Sequence, residues 1–215
     1  DSWRYILTMV LVFIGIQIAS IPLIIAAFFQ VDGDLEKFQK GAESSFMDIG
    51  MNSSLFLFLM IFTFMIGILT LFLCVKYLHK KKFIAMITSR EKIDWNRVLY
   101  AFALWGSISV VAIFVGMYLS PEDYAWNFKP VPFFTLLFVS FVFLPFQTSA
   151  EELIFRGYLM QGFGTLVKNR WFPLLVTSAI FGLLHGLNPE VERLGSILMV
   201  FYIGTGLLYG ITTLM

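Results

Sequence analysis

Charge is what this sequence has least of. Only 13% of its 215 residues are Asp, Glu, Lys or Arg, against ~25% in an ordinary soluble domain. So few charges cannot cover a water-facing surface, which excludes a soluble enzyme and a disordered tail. Charge of one sign is lacking as well. Lys+Arg 15 against Asp+Glu 14 gives a net charge of +1, so no field draws in a nucleic acid or an acidic partner. Cysteine is reduced to Cys74, which excludes an internal disulfide and a zinc site built on cysteine clusters. Histidine is confined to His79 and His185. The chain shows no internal repeat and no low-complexity tract.

Apolar residues are abundant instead: 59% of the chain, with a mean hydropathy of +0.83. A helix rising ~1.5 Å per residue needs about 20 apolar residues to cross a hydrocarbon core of ~30 Å. Six windows qualify or nearly so: Tyr5 to Val31, Leu55 to Val75, Val98 to Ser120, Val131 to Ala150, Trp171 to Asn188 and Leu194 to Met215. The expected fold is all-α, a polytopic integral membrane helical bundle forming a single membrane domain over 1–215. The polar stretch Asp32 to Asn52 is expected to be a loop with a short helix. Trp3, Tyr5, Trp95, Tyr124, Trp126 and Trp171 stand near span ends, as interfacial anchors do.

Loop charges set an orientation. Lys76 to Arg97 holds seven basic residues, and Lys168-Asn169-Arg170 is basic without an acid. Asp32 to Asp48 carries five acids against two lysines, and Glu122-Asp123 and Glu190/Glu192 are acid-rich. Positive-inside bias then puts the basic connections and the N-terminus in the cytoplasm of a multi-pass inner-membrane protein.

The informative charges are those inside the apolar pattern. Glu151, Glu152 and Arg156 interrupt one span, and His185 lies in the next. Ionisable groups at membrane depth are costly and face a bundle interior or a water-filled cavity. Glu152 and Arg156 are i, i+4 on one helix face and can neutralise each other. Glu151 is rotated ~100° from Glu152 and is free to point elsewhere. Glu151 lies 17 residues before Lys168 and His185 lies 17 after it. In an antiparallel hairpin, equal counts from the turn mean equal depth. A carboxylate and an imidazole that meet there can hold and deprotonate a water molecule, Glu151 as general base and His185 as its partner. Phe181, four residues before His185, can wall the site, and Gly182/Gly186 and Gly206/Gly210 have the spacing that lets helices approach closely. The bland alternatives are a Glu–Arg pair serving folding alone, a histidine that is a satisfied polar contact, and glycines for packing. His79, among lysines at a span end, is expected to be an interfacial residue.

Glu-Glu-x-x-x-Arg (Glu151, Glu152, Arg156), continuing Gly157-Tyr158, then Phe-x-x-x-His (Phe181, His185), resembles the CPBP family of CAAX prenyl proteases and bacteriocin-processing enzymes, also called Abi proteins. The resemblance covers roughly 131–215, which it marks as an incomplete catalytic core. It implies an intramembrane glutamic endopeptidase acting on a membrane-associated protein or peptide. Glu151 and His185 would activate the water, with Glu152, Arg156 and Phe181 supporting, and with no metal or other cofactor. One histidine and no cysteine near the site fall short of the usual three zinc ligands. A further family motif, a second histidine with Asn or Asp four residues on, does not follow His185, and the chain is expected to continue past Met215 to supply it. Two rivals belong to other classes. One is a non-catalytic scaffold or immunity protein of the same fold, bound in a membrane-protein complex. The other is a transporter using the glutamates and His185 as a proton relay, which would be expected to show repeated or inverted halves.

Overall fold

The fold comes from a computed structural model that describes residues 2–167, 169–186 and 188–214. Among the described residues all regular structure is helical. Six apolar helices correspond to the six expected spans. They are α1 (Ser2–Gln30), α3 (Ser53–Leu78), α5 (Trp95–Leu119), α6 (Pro130–Leu166), α7 (Trp171–His185) and α9 (Ile197–Leu214). Three shorter helices lie between them: α2 (Leu35–Glu43), α4 (Ile84–Ile87) and α8 (Pro189–Leu194).

Helix starts follow local chemistry. Asp34 caps α2 by accepting from the backbone N–H of Glu36 at 3.0 Å and Lys37 at 3.2 Å. Asn52 does the same for α3 through Ser54 and Leu55, and Asp94 caps α5 through the N–H of Arg97. Each side chain satisfies donors that have no partner inside the helix. The end of α7 departs from expectation. The sequence window runs to Asn188, but the helix stops at His185. Asn188 precedes Pro189 and is extended at φ −73°, ψ 140°, because the proline ring disfavours helical geometry in the residue before it. With 15 residues, α7 is about 22 Å long, short of a full crossing, and His185 sits at its very end. Lys168, from which the hairpin count was taken, and Met215 lie outside the described residues. So does the side chain of Glu192.

α1 packs on α3, α3 on α6, and α7 on α9, with the later part of α6 touching both α7 and α9. Small residues permit the close crossings. A Cβ on Gly15 would stand 2.7 Å from the Thr70 hydroxyl, and one on Gly206 would stand 3.2 Å from the backbone of Ser178. A buried cluster of Val12, Leu71, Val75 and Tyr158 joins α1, α3 and α6. Elsewhere the apolar side chains point outward, as in Phe13, Phe102, Phe114 and Phe141, which a hydrocarbon solvent accommodates. α5 is the extreme case and buries no residue.

His79 proves to be more than an interfacial residue. Its Nε2 lies 2.7 Å from the Tyr158 hydroxyl and 3.3 Å from that of Thr8, with the Tyr5 ring edge-on at 5.0 Å. Burial, together with the charges of Lys81 and Arg4, holds this imidazole below its ordinary pKa. A depressed pKa means the unfolded chain binds the extra proton first. The stabilisation is therefore complete above ~6.5 and is lost as pH falls toward the folded value. We predict that the melting temperature in detergent micelles drops between pH 7.5 and pH 5. His79→Gln should flatten that slope, and an unchanged slope would show that His79 does not control it.

Candidate functional site

The site forms where α6 changes its winding. Pro130 to Glu152 is α-helical, Leu153–Leu159 is a π-helical stretch, and Met160–Leu166 is α-helical again. Single π turns of this kind insert a residue into the helix and are frequent at functional sites. Here the change begins directly after Glu151 and Glu152. It turns Phe155, Arg156, Gly157 and Tyr158 into the protein interior.

Arg156 is the most demanding of these. Its side chain is 4% exposed, whereas that of Glu152 is 40% exposed. Nη1 lies 3.0 Å from Glu152 Oε1, an ion contact without hydrogen-bond alignment. Nη2 donates to the backbone carbonyl of Gly206 on α9 at 3.2 Å. The guanidinium also lies 4.4 Å from the centre of the Phe181 ring on α7, a cation–π contact. One side chain from α6 therefore engages both α7 and α9.

Glu151 points elsewhere, as its rotation from Glu152 requires. Its Oε1 accepts from Gln147 Nε2 at 3.3 Å, and it lies within electrostatic reach of His185 and Arg156. Glu151 and Glu152 line a cavity of about 330 Å³ together with Phe181, Tyr209 and three threonines, Thr148, Thr212 and Thr213. A second cavity of about 690 Å³ shares Thr212 and Thr213 and has Arg156 in its wall. Such spaces are large enough to hold water beside the carboxylates.

His185 is not in the lining of the smaller cavity; it packs on Phe181, which is. Its Nδ1 lies 2.8 Å from the Phe181 carbonyl. A carbonyl only accepts, so Nδ1 carries the hydrogen and Nε2 of the neutral ring is the bare, basic nitrogen. No direct hydrogen bond joins His185 to Glu151 among the described residues. Nor is any group of three or more His, Cys, Asp or Glu placed to hold a metal ion among them.

Two neighbours of His185 were not singled out from the sequence. The Tyr202 ring lies 4.5 Å from the imidazole, and its hydroxyl donates to Glu190 at 2.7 Å. Read from sequence, Glu190 only added acid to a loop. His185 lies four residues before α8 and Tyr202 eight after it, so no equal count from the turn points to their contact.

Comparison with known proteins matches the part of the chain in which these helices lie. The family model described as type II CAAX prenyl endopeptidase Rce1-like matches residues 130–215, bearing out the resemblance carried by the two motifs. An uncharacterized protein of Bacillus subtilis (strain 168), YyaK, is 35% identical over 122 residues, 56% of this chain and 41% of that protein. The chain thus spans less than half of that relative's length. No solved structure matches it.

The asymmetric burial of the ion pair has a measurable consequence. Glu152→Gln leaves a buried guanidinium beside a neutral amide. We expect it to lower unfolding stability in detergent by about 1–3 kcal/mol, less than the ~3–5 kcal/mol of a fully buried pair, because water screens the exposed partner. Denaturant unfolding that is unaltered by the substitution would mean the pair contributes nothing.

Proposed function

With residues 130–215 matching the Rce1-like family of type II CAAX prenyl endopeptidases, we propose that the protein is an intramembrane, metal-independent glutamic endopeptidase. Its substrate is a membrane-associated protein or peptide presented from the lipid bilayer. The observation that carries this reading is Glu151 on the wall of a 330 Å³ cavity bounded by Phe181, against which His185 packs.

The chemistry follows from the donors and acceptors present. Water in the cavity gives a proton to Glu151 as its oxygen attacks the scissile carbonyl carbon. The tetrahedral intermediate collapses by breaking the C–N bond, and the proton passes to the leaving amine. His185, with Nδ1–H held by the Phe181 carbonyl, offers Nε2 to orient the water or relay that proton. Arg156 is committed to Glu152 and the Gly206 carbonyl. It acts by fixing α6 against α7 and α9 so that both carboxylates face the cavity.

A second reading, a non-catalytic scaffold or immunity protein of the same fold, draws on one feature. α5 buries no residue, which leaves its whole surface open to lipid or to another membrane protein.

Glu151→Gln separates the two. As an endopeptidase, the variant should lose ~10²–10⁴-fold in kcat on a membrane peptide substrate, the usual range for a general base, while keeping the wild-type melting temperature. Hydrolysis that persists at the wild-type rate would remove Glu151 from the mechanism. A wild type that hydrolyses no membrane protein, yet is recovered in a complex with one, would favour the scaffold.

A further inference from the structure

His185 is the last residue of α7, a place where a side chain has little helix beyond it to restrain it. Its bond to the Phe181 carbonyl holds one nitrogen, and the Phe181 ring of the same helix packs on the imidazole at 4.4 Å. A further restraint comes from outside the helix. The Tyr202 ring of α9 packs on the imidazole at 4.5 Å with an interplanar angle of 30°, a tilted face contact between the two rings. Tyr202 is itself tethered, since its hydroxyl donates to Glu190 Oε1 at 2.7 Å. The same oxygen accepts from Asn188 Nδ2 at 3.2 Å, and the Asn188 backbone N–H donates to the His185 carbonyl at 3.0 Å. Glu190 thus reaches His185 by two routes: through Tyr202 to the face of its ring, and through Asn188 to its backbone.

The arrangement suits an ionised carboxylate. Hydrogen bonding from Tyr202 holds the Glu190 carboxyl below its ordinary pKa, so it stays a two-fold acceptor throughout the neutral range. We propose that Glu190 and Tyr202 are positioning residues for His185, the carboxylate anchoring both the ring that stacks on the imidazole and the turn that carries it. This rests on the reading of His185 as the partner of Glu151. From Arg156 over Phe181, through His185 and Tyr202 to Glu190, the contacts then form one unbroken series.

The test uses the full-length protein in detergent micelles with ¹⁵N-labelled histidine, the His185 signals being those that vanish in His185→Gln. The wild type should show a single Nδ1–H tautomer and ring protons shifted upfield by the stacked rings. Glu190→Ala and Tyr202→Leu should lose the upfield shift, and Tyr202→Phe, which keeps the ring but not the tether, should lose part of it. Glu190→Gln retains an accepting oxygen and should stay close to wild type. On a membrane peptide substrate, Glu190→Ala should lower kcat by roughly 10–100-fold, with KM within about twofold, and Glu190→Gln should restore most of the loss. Ring signals unchanged in both Tyr202→Phe and Glu190→Ala would overturn the proposal, as would lost stacking with an unaltered kcat. Hydrolysis that survives His185→Gln would instead overturn the catalytic reading of His185, leaving the ring signals to decide whether Glu190 and Tyr202 hold it.

Discussion

A buried guanidinium organises the C-terminal part of this protein. A buried charged group is tolerated only where partners replace its water, and Arg156 finds partners on three helices. Glu152 comes from its own helix, the Phe181 ring from α7 and the Gly206 carbonyl from α9. None of these contacts is strong alone, and the Glu152 ion pair is half open to water. Together they leave few relative positions of α6, α7 and α9 in which the charge is satisfied. The glycines follow from that constraint. Gly206 lies so near Ser178 that a Cβ there would stand 3.2 Å from the serine backbone, and the same approach brings the Gly206 carbonyl within reach of the guanidinium. Packing and electrostatics therefore specify one geometry.

The candidate catalytic groups occupy discontinuities in these helices. Glu151 precedes the π stretch of α6, and His185 ends α7. A residue in the middle of a regular helix has its side chain direction dictated by the helical period, with water excluded by its neighbours. At a π turn or a helix end the backbone is locally relieved of that period, and space opens beside it. The cavity bounded by the two carboxylates and three threonines lies at such a place. At the end of α7, His185 lies between the rings of Phe181 and Tyr202.

The helices before α6 follow different rules. α1 and α3 pack on each other and on α6 through small residues and an apolar cluster that includes Tyr158, two residues beyond Arg156. Through Tyr158 and His79 this part of the bundle touches the same π stretch that carries the site. α5 makes no comparable contact and presents apolar surface on every side, which hydrocarbon tolerates and water would not.

The sequence by itself determined the solvent, the six apolar helices and the pairing of Glu152 with Arg156. Those properties depend on composition and on spacing within one helix, and both are local. It also singled out Glu151 and His185, because a polar group in an apolar run is costly wherever the fold puts it, and Phe181 by its spacing of four residues from His185. What the tertiary structure alone decided was which side chains share a wall. That Arg156 would meet the Gly206 carbonyl, that His79 would meet Tyr158, and that Glu190 would reach His185 through Tyr202 could not be read from spacing. These contacts join residues separated by 50, 79 and 12 positions. They exist because small residues let particular helices come close, and because a proline after Asn188 ends α7 early. Period within a helix is written in the chain, but contact between helices is settled only when their surfaces meet.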